Sequence, residues 1–142
     1  MSEKSLHTQE IQGGICIAVA VPDTESAVAA VRPLAKEVDV VEIRLDAMQE
    51  GDIPLLCREI NLPLLFTNRP EWEGGHCTDP EEERLKLLLQ AVQQQAAFVD
   101  LELRTAIEFR EQLLAEVHGS KTRLITSYHD FESTPDAVSD TH

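Results

Sequence analysis

The stretch Ile15-Cys16-Ile17-Ala18-Val19-Ala20-Val21 is a continuous apolar run that ends at Pro22. Such a run is typical of a strand buried on both faces, as the strands of parallel sheets are. Directly after it, Asp23 or Thr24 can cap a helix, and apolar residues recur at helical spacing over residues 27–38. The stretch therefore predicts a buried strand followed by a helix.

The same alternation recurs along the rest of the chain. Further strands are predicted over residues 39–46, 62–67, 98–103 and 123–128, and further helices over residues 53–60, 80–95 and 107–117. The strand starts, near positions 15, 39, 63, 97 and 123, are spaced widely enough for one helix each. Regular β-then-α alternation predicts parallel strands joined by helical crossovers.

Three architectures fit this pattern: a doubly wound open sheet, a complete small α/β domain, and a piece of a (β/α)8 barrel. No glycine-rich phosphate loop follows the first strand, which argues against a dinucleotide-binding fold. Ser133 or Thr134 can cap a further helix beginning at Pro135, and the sequence stops about two turns later without a C-cap. This favours an α/β fold of the TIM-barrel type, a partial barrel of about five β/α units over residues 15–142, preceded by a polar tail over residues 1–14. The alternative to a cut barrel is that the last predicted helix frays into a natural C-terminus.

Composition narrows the possible partners. Twenty-six acidic against twelve basic residues give a net charge of −14, which disfavours nucleic acid and acidic membrane surfaces. The N-terminus has no signal-peptide core, and no apolar run approaches the ~20 residues of a membrane span. Cys16, Cys57 and Cys77 form no CxxC pair, and the histidines show no metal-ligand spacing. We therefore expect a cytoplasmic protein without a metal or cofactor.

Polar residues gather where the predicted strands end, which is where parallel α/β folds place their active sites. Glu42, Arg44 and Asp46 alternate with apolar residues and so point to one side of their strand. Such inward charges are costly unless paired, so Glu42 and Asp46 can flank Arg44, with Arg69 as a second positive group. A buried structural ion network is the alternative to a binding site. The same alternative applies to Asp100 and Glu102, which share a face of the next-to-last strand.

A histidine at a strand end is a natural proton shuttle, because its unperturbed pKa lies near ~6.5. His129 occupies such a position on the last predicted strand. Glu73 precedes Gly74-Gly75, which permits a tight backbone turn that fixes one carboxylate over the mouth of a barrel. A purely structural histidine and a solvated loop are the alternatives.

Four motifs on successive predicted strands occur in the order and spacing of a known family. They are Glu42-Ile43-Arg44-Leu45-Asp46, Thr67-Asn68-Arg69 with Glu73-Gly74-Gly75, Asp100-Leu101-Glu102-Leu103, and Ser127-Tyr128-His129-Asp130-Phe131. Over residues 15–135 the chain resembles type I 3-dehydroquinate dehydratase. The resemblance implies a (β/α)8 barrel, usually a homodimer, that eliminates water from 3-dehydroquinate in the shikimate pathway through a lysine Schiff base.

The resemblance also implies roles for individual residues. His129 resembles the general base that removes the proton beside the imine and later acts as an acid. Glu73 resembles the carboxylate that orients and tunes this histidine. Glu42, Arg44 and Arg69 resemble residues that hold the hydroxyls of the substrate, and we assign Asp46, Asp100 and Glu102 to support of the site. These residue types suit the chemistry, because an imine acidifies the neighbouring C–H and a base near neutrality then suffices.

The chain departs from the family in one large respect. The Schiff-base lysine lies on the strand after the histidine strand, and an arginine and a lid loop lie beyond it; none of these is in the sequence. Lys4, Lys36, Lys86 and Lys121 do not match the lysine position, and Ala18 stands where the family often has a polar residue. We therefore expect the N-terminal portion of such an enzyme, inactive alone.

Two other interpretations stay open at this stage. The chain could be a non-catalytic half-barrel module that associates, with itself or with a complementing C-terminal half, through unpaired edges on the first and fifth predicted strands. It could also be an unrelated, complete α/β enzyme that uses Glu73 and His129 alone.

Overall fold

A computed structural model describes residues 6–11 and 14–129, which form one six-stranded sheet with four α-helices. The strands are β1 Leu6–Ile11, β2 Gly14–Val19, β3 Val40–Arg44, β4 Leu64–Thr67, β5 Phe98–Glu102 and β6 Arg123–Ser127. The helices are α1 Thr24–Val31, α2 Ile53–Glu59, α3 Glu81–Gln93 and α4 Ile107–His118. Short 3-10 turns lie at Arg32–Leu34, Leu45–Ala47 and Glu71–Glu73. The helix predicted from Pro135 lies outside the described residues.

The strand order is strictly sequential, from β1 to β6. Strands β2 to β6 are parallel, and each pairs with the next one along the chain. A doubly wound sheet reverses direction at a switch point, and the described sheet has none. Because the crossovers of parallel strands are right-handed, sequential order puts all helices on one side, where α1 to α4 contact one another in turn. The predicted fold class, a partial barrel, is confirmed over the alternative of a doubly wound sheet.

The N-terminal segment corrects one expectation. Leu6–Ile11, within the predicted polar tail, is a strand that pairs antiparallel with β2, from Leu6 opposite Val19 to Ile11 opposite Gly14. Two residues separate the paired ends, as in a tight hairpin. The prediction of an unpaired edge on the first apolar strand was therefore wrong, because β1 occupies that edge. The predicted domain boundary, with a tail over residues 1–14 and a partial barrel over residues 15–142, stays a prediction.

The helix boundaries follow from local capping chemistry. The Asp23 carboxylate accepts a hydrogen bond from the Ser26 N–H at 2.7 Å, and the Asp52 carboxylate accepts one from the Leu55 N–H at 3.1 Å. Helix α1 is shorter than predicted and gives way to the 3-10 turn containing Pro33, whose ring removes a backbone donor. No helix in the described part of the chain is long and apolar enough to cross a membrane.

The two faces of the sheet differ in chemistry. The face toward the helices is apolar, and its main core joins Val41, Ile43, Phe66, Val99 and Leu101 from the strands to Leu56, Leu88 and Leu113 from the helices. The opposite, open face has a smaller apolar cluster near the amino ends of the strands, formed by Cys16, Val40, Leu65 and Phe98. Side chains alternate along each strand, so the next residues on this open face are the polar ones at the carboxyl ends. The fold thereby gathers the predicted site residues at one end of one face.

We expect Leu88→Ala to lower the free energy of unfolding by about 2–5 kcal/mol, because the side chain is fully buried in the main core and its loss leaves a cavity. Leu114→Ala is the matched control on a neighbouring helix, since that side chain is 46% exposed; we expect a change within ~0.5 kcal/mol. Urea unfolding followed by far-ultraviolet circular dichroism measures both. Similar losses in the two variants would contradict the assignment of this core.

Candidate active site

Arg69 lies just beyond β4 and joins the carboxyl ends of three strands. Its side chain is about nine-tenths buried, and its Nη1 donates to Asp100 Oδ2 at 2.5 Å, to Glu102 Oε2 at 2.7 Å and to Ser127 Oγ at 2.6 Å. The Ser127 hydroxyl donates in turn to Asp100 Oδ2 at 2.8 Å. These bonds join Arg69, the two carboxylates of β5 and the Ser127 hydroxyl of β6 in one hydrogen-bonded group on the open face.

A second arginine reaches this group from the helix layer. Arg84 of α3 is fully buried, and its Nη1 donates to Glu102 Oε1 at 2.6 Å and to the Asn68 carbonyl at 3.1 Å. Its Nε and Nη2 donate to the carboxylate of Glu81 at 2.7 and 2.9 Å. Burial raises the pKa of Glu102, and the charges of Arg84 and Arg69 oppose that rise. Each oxygen of the Glu102 carboxylate thus faces its own guanidinium.

The end of β3 carries a separate ion pair. Arg44 donates two parallel hydrogen bonds to Asp46, from Nε at 3.0 Å and from Nη2 at 2.8 Å. The Asp46 carboxylate also accepts from the backbone N–H groups of Arg69 and His76, both at 3.1 Å. Burial acts to raise the pKa of Asp46, but the Arg44 bonds and charge, with the two backbone donors, lower it. The predicted pairing of Asp46 with Arg44 is confirmed, whereas Glu42 accepts from the Thr67 hydroxyl at 2.6 Å.

Glu73 is held in place by the turn that the two glycines permit. It ends the 3-10 turn Glu71–Glu73, and Gly74 follows with a φ of 82°, a left-handed conformation that favours glycine. A side chain at Gly75 would collide with the backbone carbonyl of Arg69. The predicted tight turn is therefore confirmed, and it presses the loop against the end of β4.

Glu73 and His129 meet at the edge of the open face where the strands have their carboxyl ends. We call this edge the mouth. The Glu73 side chain is fully buried, and its Oε1 accepts from the His129 backbone N–H at 3.0 Å and lies 3.2 Å from Nδ1 of the ring. A proton on Nδ1 donates to this carboxylate and leaves Nε2 as the unprotonated nitrogen of a neutral ring. The His129 side chain is 40% exposed. This geometry suits a base that removes a proton and returns it.

The structure thus brings all the predicted site residues to the carboxyl edge, while their catalytic and binding roles stay predictions. Thr67 and Ser127 lie in the quoted motifs but no role was predicted for them, and Arg84 was not predicted as a site residue. Arg84 lies on the same helical stripe as Leu88 and Ala91, and a charged residue on an apolar stripe is the signal that could have revealed it.

Neither a metal centre nor a reactive thiol stands out among residues 6–11 and 14–129. No group of three or more His, Cys, Asp or Glu side chains is arranged to hold a metal ion in those ranges. Burial, with the nearby charge of Glu42, raises the pKa of Cys16 to about 11, so its thiol stays protonated at neutral pH.

Parallel β/α units in sequential order, with paired charges and a histidine at the carboxyl ends, define an α/β protein of the barrel class. A family model described as type I 3-dehydroquinase matches residues 15–140, and the chain belongs to this family.

The relatives agree with this assignment. The 3-dehydroquinate dehydratase of Desulfotalea psychrophila is 48% identical over 96 residues, which cover 68% of this chain and 42% of that protein. That of Methanocaldococcus jannaschii is 36% identical over 126 residues, which cover 85% of this chain and 55% of that protein. The chain therefore spans about half the length of the curated relatives it matches.

Solved structures support the same fold. The 3-dehydroquinate dehydratase of Enterococcus faecalis superimposes with a TM-score of 0.68 at 26% identity, covering 84% of this chain and 55% of that one. The type I enzyme of Clostridium difficile superimposes with a TM-score of 0.76, covering 92% of this chain and 59% of that one. At 19% identity this second likeness supports the fold alone.

We expect the stability contributed by Asp46 to depend on pH. Its pKa is lower in the folded protein than its ordinary value of 3.8, so the ionised group stabilises the fold above that value. This contribution is lost as the pH falls through the folded pKa. Urea midpoints measured from pH 7 to pH 3 should therefore show a gap between the native chain and Asp46→Asn that narrows toward acid. Asp79→Asn, an exposed loop aspartate, is the control; a gap that stays constant over this range would contradict the role of Asp46.

Proposed function

We propose that this chain supplies the proton-transfer pair and part of the substrate-binding site of a 3-dehydroquinate dehydratase, which converts 3-dehydroquinate to 3-dehydroshikimate and water. The observation that carries the proposal is the placement of His129 Nδ1 3.2 Å from the buried carboxylate of Glu73, at the mouth of the open face. Membership of the type I 3-dehydroquinase family supplies the reaction.

In this proposal His129 is the general base. Glu73 holds the ring through Nδ1, and Nε2 takes the proton from the carbon beside the imine that the substrate forms with a lysine. The protonated ring then returns a proton to the departing hydroxyl group, which leaves as water. The buried carboxylate stabilises the charged ring that exists between these two steps.

The substrate hydroxyls bind, in this proposal, to Arg44, Arg69 and Glu42. Arg44 is a quarter exposed and is held in one orientation by its two bonds to Asp46, so it presents a fixed edge to substrate hydroxyls. Arg69 is held in turn by Asp100 and Glu102. The ordering of charged groups before substrate arrives reduces the reorganisation needed during the reaction.

A chimera tests these roles in a protein that also contains the Schiff-base lysine, which the recipient enzyme supplies. Residues 15–129 of this chain replace the matching segment in the Methanocaldococcus jannaschii enzyme, whose match to this chain extends over 126 residues, and product is followed by the ultraviolet absorbance of its conjugated enone. We expect the chimera to be active and His129→Ala to lower its kcat by about 10²–10⁴-fold, the range of general acid–base catalysis. His118→Ala, an exposed histidine at the end of α4, is the matched control and should leave kcat unchanged.

The 142-residue chain alone should form no product in the same assay, because none of its described lysines lies at the mouth. Lys36 follows α1, Lys86 is exposed on α3, and Lys121 precedes β6 at the amino ends of the strands. Steady product formation by the isolated chain, or an active His129→Ala chimera, would refute the proposed division of roles.

We also propose that the chain associates through β6. Among the described strands, β6 pairs only with β5, so its outer edge offers backbone donors and acceptors to another strand. Exposed Ile125 adds apolar surface to that strand. Two partners fit this edge: a second copy of the chain, as in the homodimer that the family implies, and a complementing C-terminal half. We separately propose a cytoplasmic location.

Light scattering across a dilution series measures this association. We expect the apparent mass of the isolated chain to exceed that of one chain and to fall on dilution, and Ile125→Lys to shift the balance toward monomer because charge blocks edge pairing. Lys121→Glu, outside β6, is the control. A monomer that persists at all concentrations would contradict the proposal.

A further inference from the structure

The two oxygens of the Glu73 carboxylate have unequal surroundings. Oε1 accepts from the backbone N–H of His129 and faces its ring, whereas Oε2 is buried and has no hydrogen-bond donor among the described residues. A buried carboxylate oxygen without a donor is costly and rare in folded proteins. Some other interaction must therefore compensate the charge on Oε2.

Arg104 is the cation beside this oxygen. It lies in the connection between β5 and α4, and its Nε is 3.5 Å from Glu73 Oε2, an ion pair without a hydrogen bond. The guanidiniums of Arg44, Arg69 and Arg84 are hydrogen-bonded to carboxylates other than Glu73. The charge of Arg104 therefore acts directly on the carboxylate that holds the histidine.

The guanidinium of Arg104 is itself fixed by an aromatic ring. Its central carbon lies 4.7 Å from the centre of the Tyr128 ring, and its Nη2 is bonded to the Tyr128 hydroxyl at 3.0 Å. Tyr128 immediately precedes His129. Arg104 thus connects the loop after β5 both to Glu73 and to the segment that carries the histidine.

We propose that Arg104 is a positioning residue for the Glu73–His129 pair. Its charge holds the carboxylate turned so that Oε1 accepts from Nδ1, and this holds the ring in the tautomer with Nε2 unprotonated. The effect on the tautomer stands on the geometry alone, whereas the effect on catalysis rests on the proposed function.

Nuclear magnetic resonance of the ¹⁵N-labelled 142-residue chain tests the tautomer directly. Long-range ¹H–¹⁵N spectra recorded at pH 8.5 report which ring nitrogen of His129 carries the proton. We expect mainly Nδ1–H in the native chain and a ratio of Nδ1–H to Nε2–H at least threefold lower in Arg104→Gln. Arg104→Lys, which keeps the charge, should retain most of the native ratio, and Arg58→Gln, on an exposed part of α2, should not change it.

Arg104→Met, which keeps an apolar stem against Tyr128, replaces the Gln variant if amide spectra show that the latter is unfolded. An unchanged tautomer ratio in a folded variant without the charge overturns the proposal, whatever the kinetics show.

Kinetics in the chimera measure the catalytic consequence. We expect Arg104→Gln to lower kcat about tenfold with KM within about twofold, part of the ~10²–10⁴-fold supplied by general acid–base catalysis. Arg104→Lys should restore most of kcat. An inactive parent chimera would refute the proposed function and leave the tautomer result standing. An active parent whose Arg104→Gln variant keeps its kcat would refute the contribution of Arg104 to catalysis.

Discussion

The arrangement of the mouth depends on Arg69. Its guanidinium joins β4 to Asp100 and Glu102 on β5 and to Ser127 on β6, while its backbone N–H binds Asp46 beyond β3. Its backbone carbonyl accepts from Cys77 and closes against Gly75, in the loop that carries Glu73. One residue therefore fixes the relative positions of four strand ends. Buried ion pairs contribute little net stability, but a satisfied network permits only one arrangement of its members, which is what a site requires.

Glu73 and His129, for which we propose proton transfer, lie beside this network. Glu73 is fixed from behind by the Gly74-Gly75 turn, and His129 is fixed by its backbone bond to the same carboxylate. Its ring is thus oriented by a side chain from another loop, while 40% of the His129 side chain is exposed. Rigid support on one side and access on the other are what general acid–base chemistry needs from a histidine.

Local patterns predicted much of this molecule, because β/α alternation, the cap at Asp23 and the turn after Glu73 depend on neighbouring residues. Strand alternation also predicted which charges share the open face. It could not predict that Arg69 binds Asp100 and Glu102 while Glu42 binds Thr67, because partner choice depends on register across strands. Strand β1 was missed because a short, polar strand is stabilised by its partner β2 more than by its own residues. Arg84 was missed because its partners come from distant segments.

The hairpin of β1 and β2 has a consequence for how the sheet is built during synthesis. Since β1 already occupies the outer edge of β2, β3 can pair with β2 only along its other edge, and each later strand adds to the strand made just before it. Every described pairing is then between neighbours in sequence, so the entropy of closing each connection stays small. The sheet can therefore be assembled in the direction of translation, one β/α unit at a time.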